Sequence, residues 1–288
     1  MGYRLRKLTG WNYSLAKYYE LLSLDHRFGR EREFILVHQM GKVGSMSIYH
    51  AIKDMSPKAP IFHTHFLSKE QIVKVEKLNK ANWCGPLRAG HLWQSIFVKK
   101  NLDTKKFKII TLVRDPIARN VSGFLQVLET QYNFNLKEEL ERSGIDGTSE
   151  KIIRLFLRPE DRHDIPLVWF DRELAPFFHI DVFSRTFPKE DAYQIIRDGR
   201  VELLIIRLED LDVVGEGAIS SFLGKKVGLK KYNVGAQKAY SEVYKAIKDK
   251  ISLPDQYLSK MYDSKYARHF YTDEELKAFA EKWRGKPK

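Results

Sequence analysis

Four short apolar runs punctuate an otherwise polar chain: FILV at 34–37, PIFHTHF at 60–66, FKIITLV at 107–113 and ELLIIRL at 202–208. Each is rich in Ile, Val or Phe and bounded by polar or turn residues, which predicts buried strands. Apolar residues at consecutive positions suit strands covered on both faces, the habit of parallel sheets. Between the runs the spacing becomes helical. SMSIYHAIKDM follows the first run. Residues 68–81 open with a serine at the cap position and carry a glutamate in the first turn. Residues 115–132 begin Asp-Pro, a capping residue followed by proline at the first helical position. Residues 241–250 and 272–283 read as late helices. The alternation predicts an α/β fold, a doubly wound parallel sheet flanked by helices. The stretch 133–200 is less regular and dense in aromatics between Arg162 and Phe183. It reads as an insertion or cap over the sheet. No Pro/Gly/Ser-rich linker divides the chain, so residues 1–288 read as one domain, with 1–33 as an N-terminal helical extension.

Composition narrows the classes. At 43% hydrophobic and 30% charged residues, 288 residues are enough for a substantial core and leave no case for long disorder. The single cysteine, Cys84, excludes an intramolecular disulfide framework and suits a reducing compartment. It reads as a small buried hydrophobe. A formal net charge of +13 calls for anionic partners: nucleic acid, membrane surface, nucleotide or acidic polymer. No apolar run approaches the ~20 residues of a membrane span, and the N-terminus lacks a signal-peptide core. A cytoplasmic location is therefore expected. Residues 1–24 can form an amphipathic helix with tyrosine, tryptophan and leucine on one face. Packing on its own domain is the expected role, with peripheral membrane contact as the alternative.

The loop after the first run, QMGKVGSMS at 39–47, lies where open α/β sheets bind ligands, at a strand's carboxyl end. Gly41 and Gly44 let the backbone turn and approach a ligand. The free N–H groups opening the next helix favour an anion. Lys42 adds a point charge, Ser45 and Ser47 add hydroxyls, and Val43 and Met46 contribute main chain. The order differs from the nucleotide loop GxxxxGK[ST], because Lys42 precedes Gly44 and the serines. That opposes an ordinary ATPase or kinase.

A second constellation follows the third run. Arg114 sits at its carboxyl end and Ser122 lies eight residues on, about two turns into the helix. An arginine there can grip a phosphate bidentately, and a helical serine can complete the grip. Arg119, one turn before Ser122, faces either an acceptor or solvent. Two phosphate-binding strand ends imply a ligand with two separated phosphates, a 5′-phosphate in the first loop and a 3′-phosphate at Arg114 and Ser122.

At these residues the chain resembles the sulfotransferases that use PAPS, 3′-phosphoadenosine 5′-phosphosulfate. The loop at 39–47 resembles their 5′-phosphosulfate loop, with Lys42 at its lysine, and RDPIARNVS resembles their 3′-phosphate motif at the same Arg-to-Ser spacing. RLEDL at 207–211 is similar to a later strand-and-turn. VWFDRELAPFFHIDVF at 168–183 is similar to a stretch of bacterial capsular polysaccharide synthesis proteins. The resemblance spans about residues 34–240, but its specific motifs cover about thirty positions. The loop departs from the Pro-Lys-Ser-Gly-Thr form of the small-molecule branch, with Gly41 for Pro and Ser45 for Thr. This favours a glycan acceptor over a phenol or steroid.

The resemblance implies a P-loop-like fold, PAPS as donor, adenosine 3′,5′-bisphosphate as product and no metal. Lys42 would neutralise the leaving 5′-phosphate. His63 and His65 share one face at the end of the second strand and are candidates for the general base. Likeness to the uronyl 2-O-sulfotransferases favours His63. His91, in a matching Gly-His pair, could touch acceptor or base. Lys231, Asn233 and Lys238, in the basic stretch 224–240, are candidates for a late loop over the adenine and 3′-phosphate. Apart from the histidines, no residues have metal-ligand spacing. Two other classes stay open: a P-loop kinase, and a non-enzymatic nucleic-acid or membrane-surface binder resting on net charge and aromatics.

Overall fold

A computed structural model describes residues 13–81, 90–132, 134–158, 161–230 and 238–284. One five-stranded sheet forms its centre. The strands are β1 (Glu33–His38), β2 (Ile61–Thr64), β3 (Lys106–Val113), β4 (Tyr193–Asp198) and β5 (Val201–Arg207). Their order is β2-β1-β3-β5-β4. The four apolar runs become β1, β2, β3 and β5, all parallel. Phe34, Leu36 and Val37 of β1 and Leu203 to Ile206 of β5 are fully buried. Consecutive burial requires cover on both faces, as the apolar runs imply.

The expected parallel sheet needs one correction. β4 pairs antiparallel with β5 at the sheet's edge through the two-residue turn Gly199-Arg200, where Gly199 takes φ 54°. An edge strand is covered on fewer sides, and YQIIRD, with two apolar isoleucines set among polar residues, escapes a search for apolar runs. The Asp198-Gly199 pair is the turn signal that marks it.

Helices α1 (Tyr13–Phe28), α2 (Ser45–Asp54), α3 (Lys69–Ala81) and α4 (Gly90–Lys100) belong to the first half of the chain. α2 and α4 pack on β2. Next come α5 (Pro116–Gln131) and α6 (Leu136–Phe156), the latter kinked at Gly144. α7 (Ile165–Trp169) and α8 (Ala175–Phe178) are joined by a π-helical turn over Phe170–Leu174. α9 (Leu211–Leu223) packs on β5 and α10 (Lys238–Lys250) runs along α6. α11 (Asp255–Tyr262), α12 (Lys265–Phe270) and α13 (Asp273–Arg284) close the described chain.

The stretch 133–200 is therefore more regular than its sequence suggests. It holds the long α6, whose two glycines and many charges hide its period, and it supplies β4. Its aromatics join the main core, with Trp169, Phe170, Phe178 and Phe187 each at most 4% exposed.

α1 docks through Tyr13 and Ala16. Tyr13 stacks obliquely on Trp93 at 5.4 Å, and Lys17 pairs with Glu76 at 2.7 Å. Its other face exposes Leu15, Tyr18, Tyr19 and Leu22, a stripe at i, i+3, i+4 and i+7. Among the described residues no helix is long and apolar enough to cross a membrane. Trp11 and Cys84 lie outside the described residues.

Candidate functional site

β1 lies between β2 and β3, so the chain leaves β1 to one side and later crosses to the other. The loops after β1 and β3 diverge there and open a crevice at the strands' carboxyl ends. The first loop and Arg114 both sit at this point.

Lys42 and Gly44 adopt left-handed backbone conformations, φ 73° and 88°. Glycine suits the left-handed backbone at 44, and a Cβ there would stand 2.7 Å from Leu208 Cδ1, so that side chain would have to shift. Lys42 has no such licence, and its conformation costs on the order of 1–3 kcal/mol. Two arginines hold the turn. Arg114 Nη1 donates to the Lys42 carbonyl at 2.8 Å, and Arg119 Nε donates to the Gly41 carbonyl at 3.0 Å. Val43 is buried in the core and anchors the loop, while the Met46 side chain is exposed. Ser45 is buried and Ser47 half-buried at the start of α2. Gly44 offers no side-chain cap, so the first N–H groups of α2 remain for an anion.

The same turn gathers Lys42, Arg114 and Arg119. Burial, then the two guanidinium charges, push the Lys42 ammonium below the ordinary lysine range. Among the described residues, no hydrogen bond or ion pair satisfies that ammonium. An anion would relieve this like-charge cluster.

Arg114 and Asp115 are latched by the C-terminal helices. Tyr266 OH accepts from the Arg114 N–H at 3.0 Å and donates to its carbonyl at 2.9 Å. Asp115, 2% exposed, caps α5 by accepting from Ile117 N. Its carboxylate also accepts from Tyr262 OH and Trp283 Nε1, each at 3.0 Å. The Asp115 N–H donates to Glu209, which takes a second bond from Tyr271 OH. Burial raises the Glu209 pKa above the usual carboxylate range.

A cavity of about 330 Å³ opens beside the loop and along α5. Lys42, Lys74, Arg119 and Arg172 supply charge to its wall, and Phe124 and Tyr132 supply rings. No carboxylate is among the described residues lining it. Arg119 is 8% exposed and lines this cavity.

His63 and His65 share a face, as their spacing implies, and His91 at the start of α4 joins them. The ring centroids are 4.7 Å apart for His63–His65 and His63–His91, and 5.2 Å for His65–His91. Burial, then the neighbouring imidazoles, hold His63 down at about 2. Burial likewise lowers His65 to about 4, against a raising hydrogen bond from Nδ1 to the Gln39 carbonyl. Both rings are neutral near pH 7.

Ser122 is half-buried on α5, and among the described residues no hydrogen bond joins it to Arg114 or the loop. Lys238 opens α10, while Lys231 and Asn233 lie outside the described residues. Sequence reasoning missed the latch at Glu209, Tyr262, Tyr266 and Trp283. It also missed Glu173, whose buried carboxylate accepts from Leu67 N, Ser68 N and Ser68 Oγ at the start of α3. Ser68 thus sits at the expected boundary, but a carboxylate 105 residues away receives its hydroxyl proton.

A family model described as "Putative capsular polysaccharide synthesis protein" matches residues 162–272, less than half of the chain. The matched part contains Glu173, Glu209, Tyr262 and Tyr266, and excludes Lys42, the histidine cluster and Arg114. No curated protein and no solved structure matches the chain significantly. The family match suggests polysaccharide biosynthesis as the setting of the protein's role.

Proposed function

We propose that the protein is a PAPS-dependent sulfotransferase with a P-loop-like fold, acting on a hydroxyl of a glycan. The observation carrying this reading is the convergence of Lys42, Arg114 and Arg119 on one loop at the crevice, with no acidic partner for the Lys42 ammonium among the described residues. The space beside Gly41 is open, since a Cβ there would meet nothing within 4 Å, which leaves an anion a way to approach the loop. PAPS, when bound, supplies a sulfuryl group already activated on its 5′-phosphate.

The chain's own groups then have separable tasks. The N–H groups opening α2 and the hydroxyls of Ser45 and Ser47 hold the 5′ oxygens. Lys42 offsets the negative charge that grows on the leaving side. Arg114, with Ser122 further along α5, reads the 3′-phosphate. Lys231, Asn233 and Lys238 remain candidates for closing over the adenine. His65 is the better placed base. Its Nδ1 donates to a carbonyl, so Nε2 keeps its lone pair, and its pKa is depressed less than that of His63. The cavity along α5 suits the acceptor, because the partly exposed Tyr132 ring can meet a sugar face and its cations favour an anionic glycan. The family's connection with polysaccharide synthesis supports the same acceptor class.

Arg114→Ala tests the assignment. Binding of adenosine 3′,5′-bisphosphate should weaken about 10–100-fold, the worth of a charge-assisted contact, while AMP affinity changes far less. Equal weakening of both nucleotides would mean that Arg114 only supports the loop.

A further inference from the structure

His63 and His65 come from alternate positions on β2, and His91 approaches from α4. One ring nitrogen from each lies within 4.8 Å of the other two. The hydrogen bonds around them fix which nitrogens are free. His65 Nδ1 lies 3.0 Å from the Gln39 carbonyl and His91 Nδ1 lies 3.0 Å from the His63 carbonyl. A carbonyl only accepts, so both Nδ1 atoms carry the hydrogen and both Nε2 atoms present lone pairs. Metal-binding histidines are commonly oriented this way, with the second nitrogen donating to a carbonyl or carboxylate.

A second observation is independent of the clustering. His63 is 3% exposed, and its Nε2 is buried with no hydrogen-bond partner. A buried imidazole nitrogen left unpaired costs about 1–3 kcal/mol, and its ring lies 4.7 Å from the rings of both His65 and His91. Tyr49 stacks on the His63 ring at 5.5 Å and 25°, which fixes its plane. Beside the cluster, Gln39 is fully buried with both side-chain amide atoms unpartnered. The β1–β2 register pairs Val37 with His63, and alternation places Gln39 on that same face.

We propose that His63, His65 and His91 form a binding site for a zinc-class divalent transition-metal ion, with a coordination position left open toward Gln39 and the loop Gly41–Gly44. Three imidazoles without carboxylate or thiolate suit zinc, cobalt, nickel or copper, and give magnesium and calcium nothing to prefer. Zn–N bonds of about 2.0–2.1 Å in tetrahedral geometry put the ligand nitrogens about 3.3 Å apart. Side-chain rotations on the order of an ångström close the ring set to that spacing. His91 is exposed and provides the way in from solvent. Three protein ligands with one place free is the pattern of reactive zinc sites, whereas structural sites are closed by four.

The site does not rest on the sulfuryl-transfer reading. A bound metal would occupy the His65 Nε2 lone pair, so metal binding and the general-base role of His65 are alternative uses of that nitrogen, and metal uptake is measured without nucleotide or acceptor. Tag-free protein, stripped with a chelator, is titrated with Co²⁺ and followed by visible absorption, then challenged with Zn²⁺. One equivalent should bind with the intense bands of four-coordinate cobalt, and zinc should bleach them. In His91→Ala the bands should vanish and affinity should fall by at least about 100-fold, since loss of an outer-shell partner alone costs about 10–100-fold. His91 is exposed, so the metal-free variant should keep the wild-type melting temperature. His65→Ala should lose the same signal. Absence of uptake by the wild type, bands that persist in His91→Ala, or equal competition by Mg²⁺ would each overturn the proposal.

Discussion

Lys42→Ala is expected to lower turnover by about 10²–10³-fold, the usual consequence of removing one donor aimed at developing charge. Under the proposed sulfuryl transfer, turnover is read as release of adenosine 3′,5′-bisphosphate, and nucleotide affinity should fall much less. Alanine tolerates the left-handed backbone no better than lysine, so the loop's strain is left in place and only the ammonium is lost. A second readout has the opposite sign. The Lys42 pKa is lowered on folding, chiefly by burial and then by Arg114 and Arg119. A base with a lowered folded pKa destabilises the folded state. The cost is full below that pKa and disappears above the unfolded value. The variant should therefore melt at a higher temperature than the wild type at neutral pH, with the difference closing as the pH approaches the ordinary lysine range. Added sulfate or bisphosphate should raise the wild-type melting temperature more than the variant's. Unchanged turnover would remove Lys42 from catalysis, and a lower melting temperature would contradict the crowded-cation picture.

Asp115→Ala is expected to cost about 3–7 kcal/mol of stability. The loss of an N-cap is worth about 1 kcal/mol, and each buried donor left without a partner adds about 1–3 kcal/mol. Those donors are Tyr262 OH and Trp283 Nε1. Such a loss is a large part of the 5–15 kcal/mol that usually holds a domain together. Asp115→Asn tests the mechanism more finely. Its amide can keep an acceptor toward Ile117 and Tyr262, but sets N–H against N–H at Trp283. It should fall between wild type and alanine. The check is urea unfolding, where the midpoint should move with little change in slope. A shift worth less than about 1 kcal/mol would mean that the latch is not a stability centre. The functional consequence follows from position, because Asp115 is next to Arg114 and the helices gripping one peptide fix the other.

The parts of the fold readable from the sequence are those with local causes. Four apolar runs gave four strands because both sheet faces are buried. Asp115-Pro116 marked the start of α5 because cap chemistry is local. The loop after β1 was legible because its glycines and lysine are adjacent in the chain. Features made by distant partners were not. β4 is half-covered and carries no apolar run. Glu173 meets Ser68 across 105 residues, and Tyr266 meets Arg114 across 152. The histidine pair was visible from its spacing of two, and His91 was named beside it only through the resemblance; its approach to the pair comes from the packing of α4 on β2. Lys231 and Asn233, named from a basic, glycine-bearing stretch, lie outside the described residues.

The most direct test of the central claim is calorimetric titration of metal-free protein with adenosine 3′,5′-bisphosphate, beside AMP and ATP–Mg²⁺. The proposal that the loop carries one phosphate and Arg114 reads another predicts micromolar or tighter binding that depends on the 3′-phosphate. Absence of binding, or a preference for ATP–Mg²⁺, would contradict it.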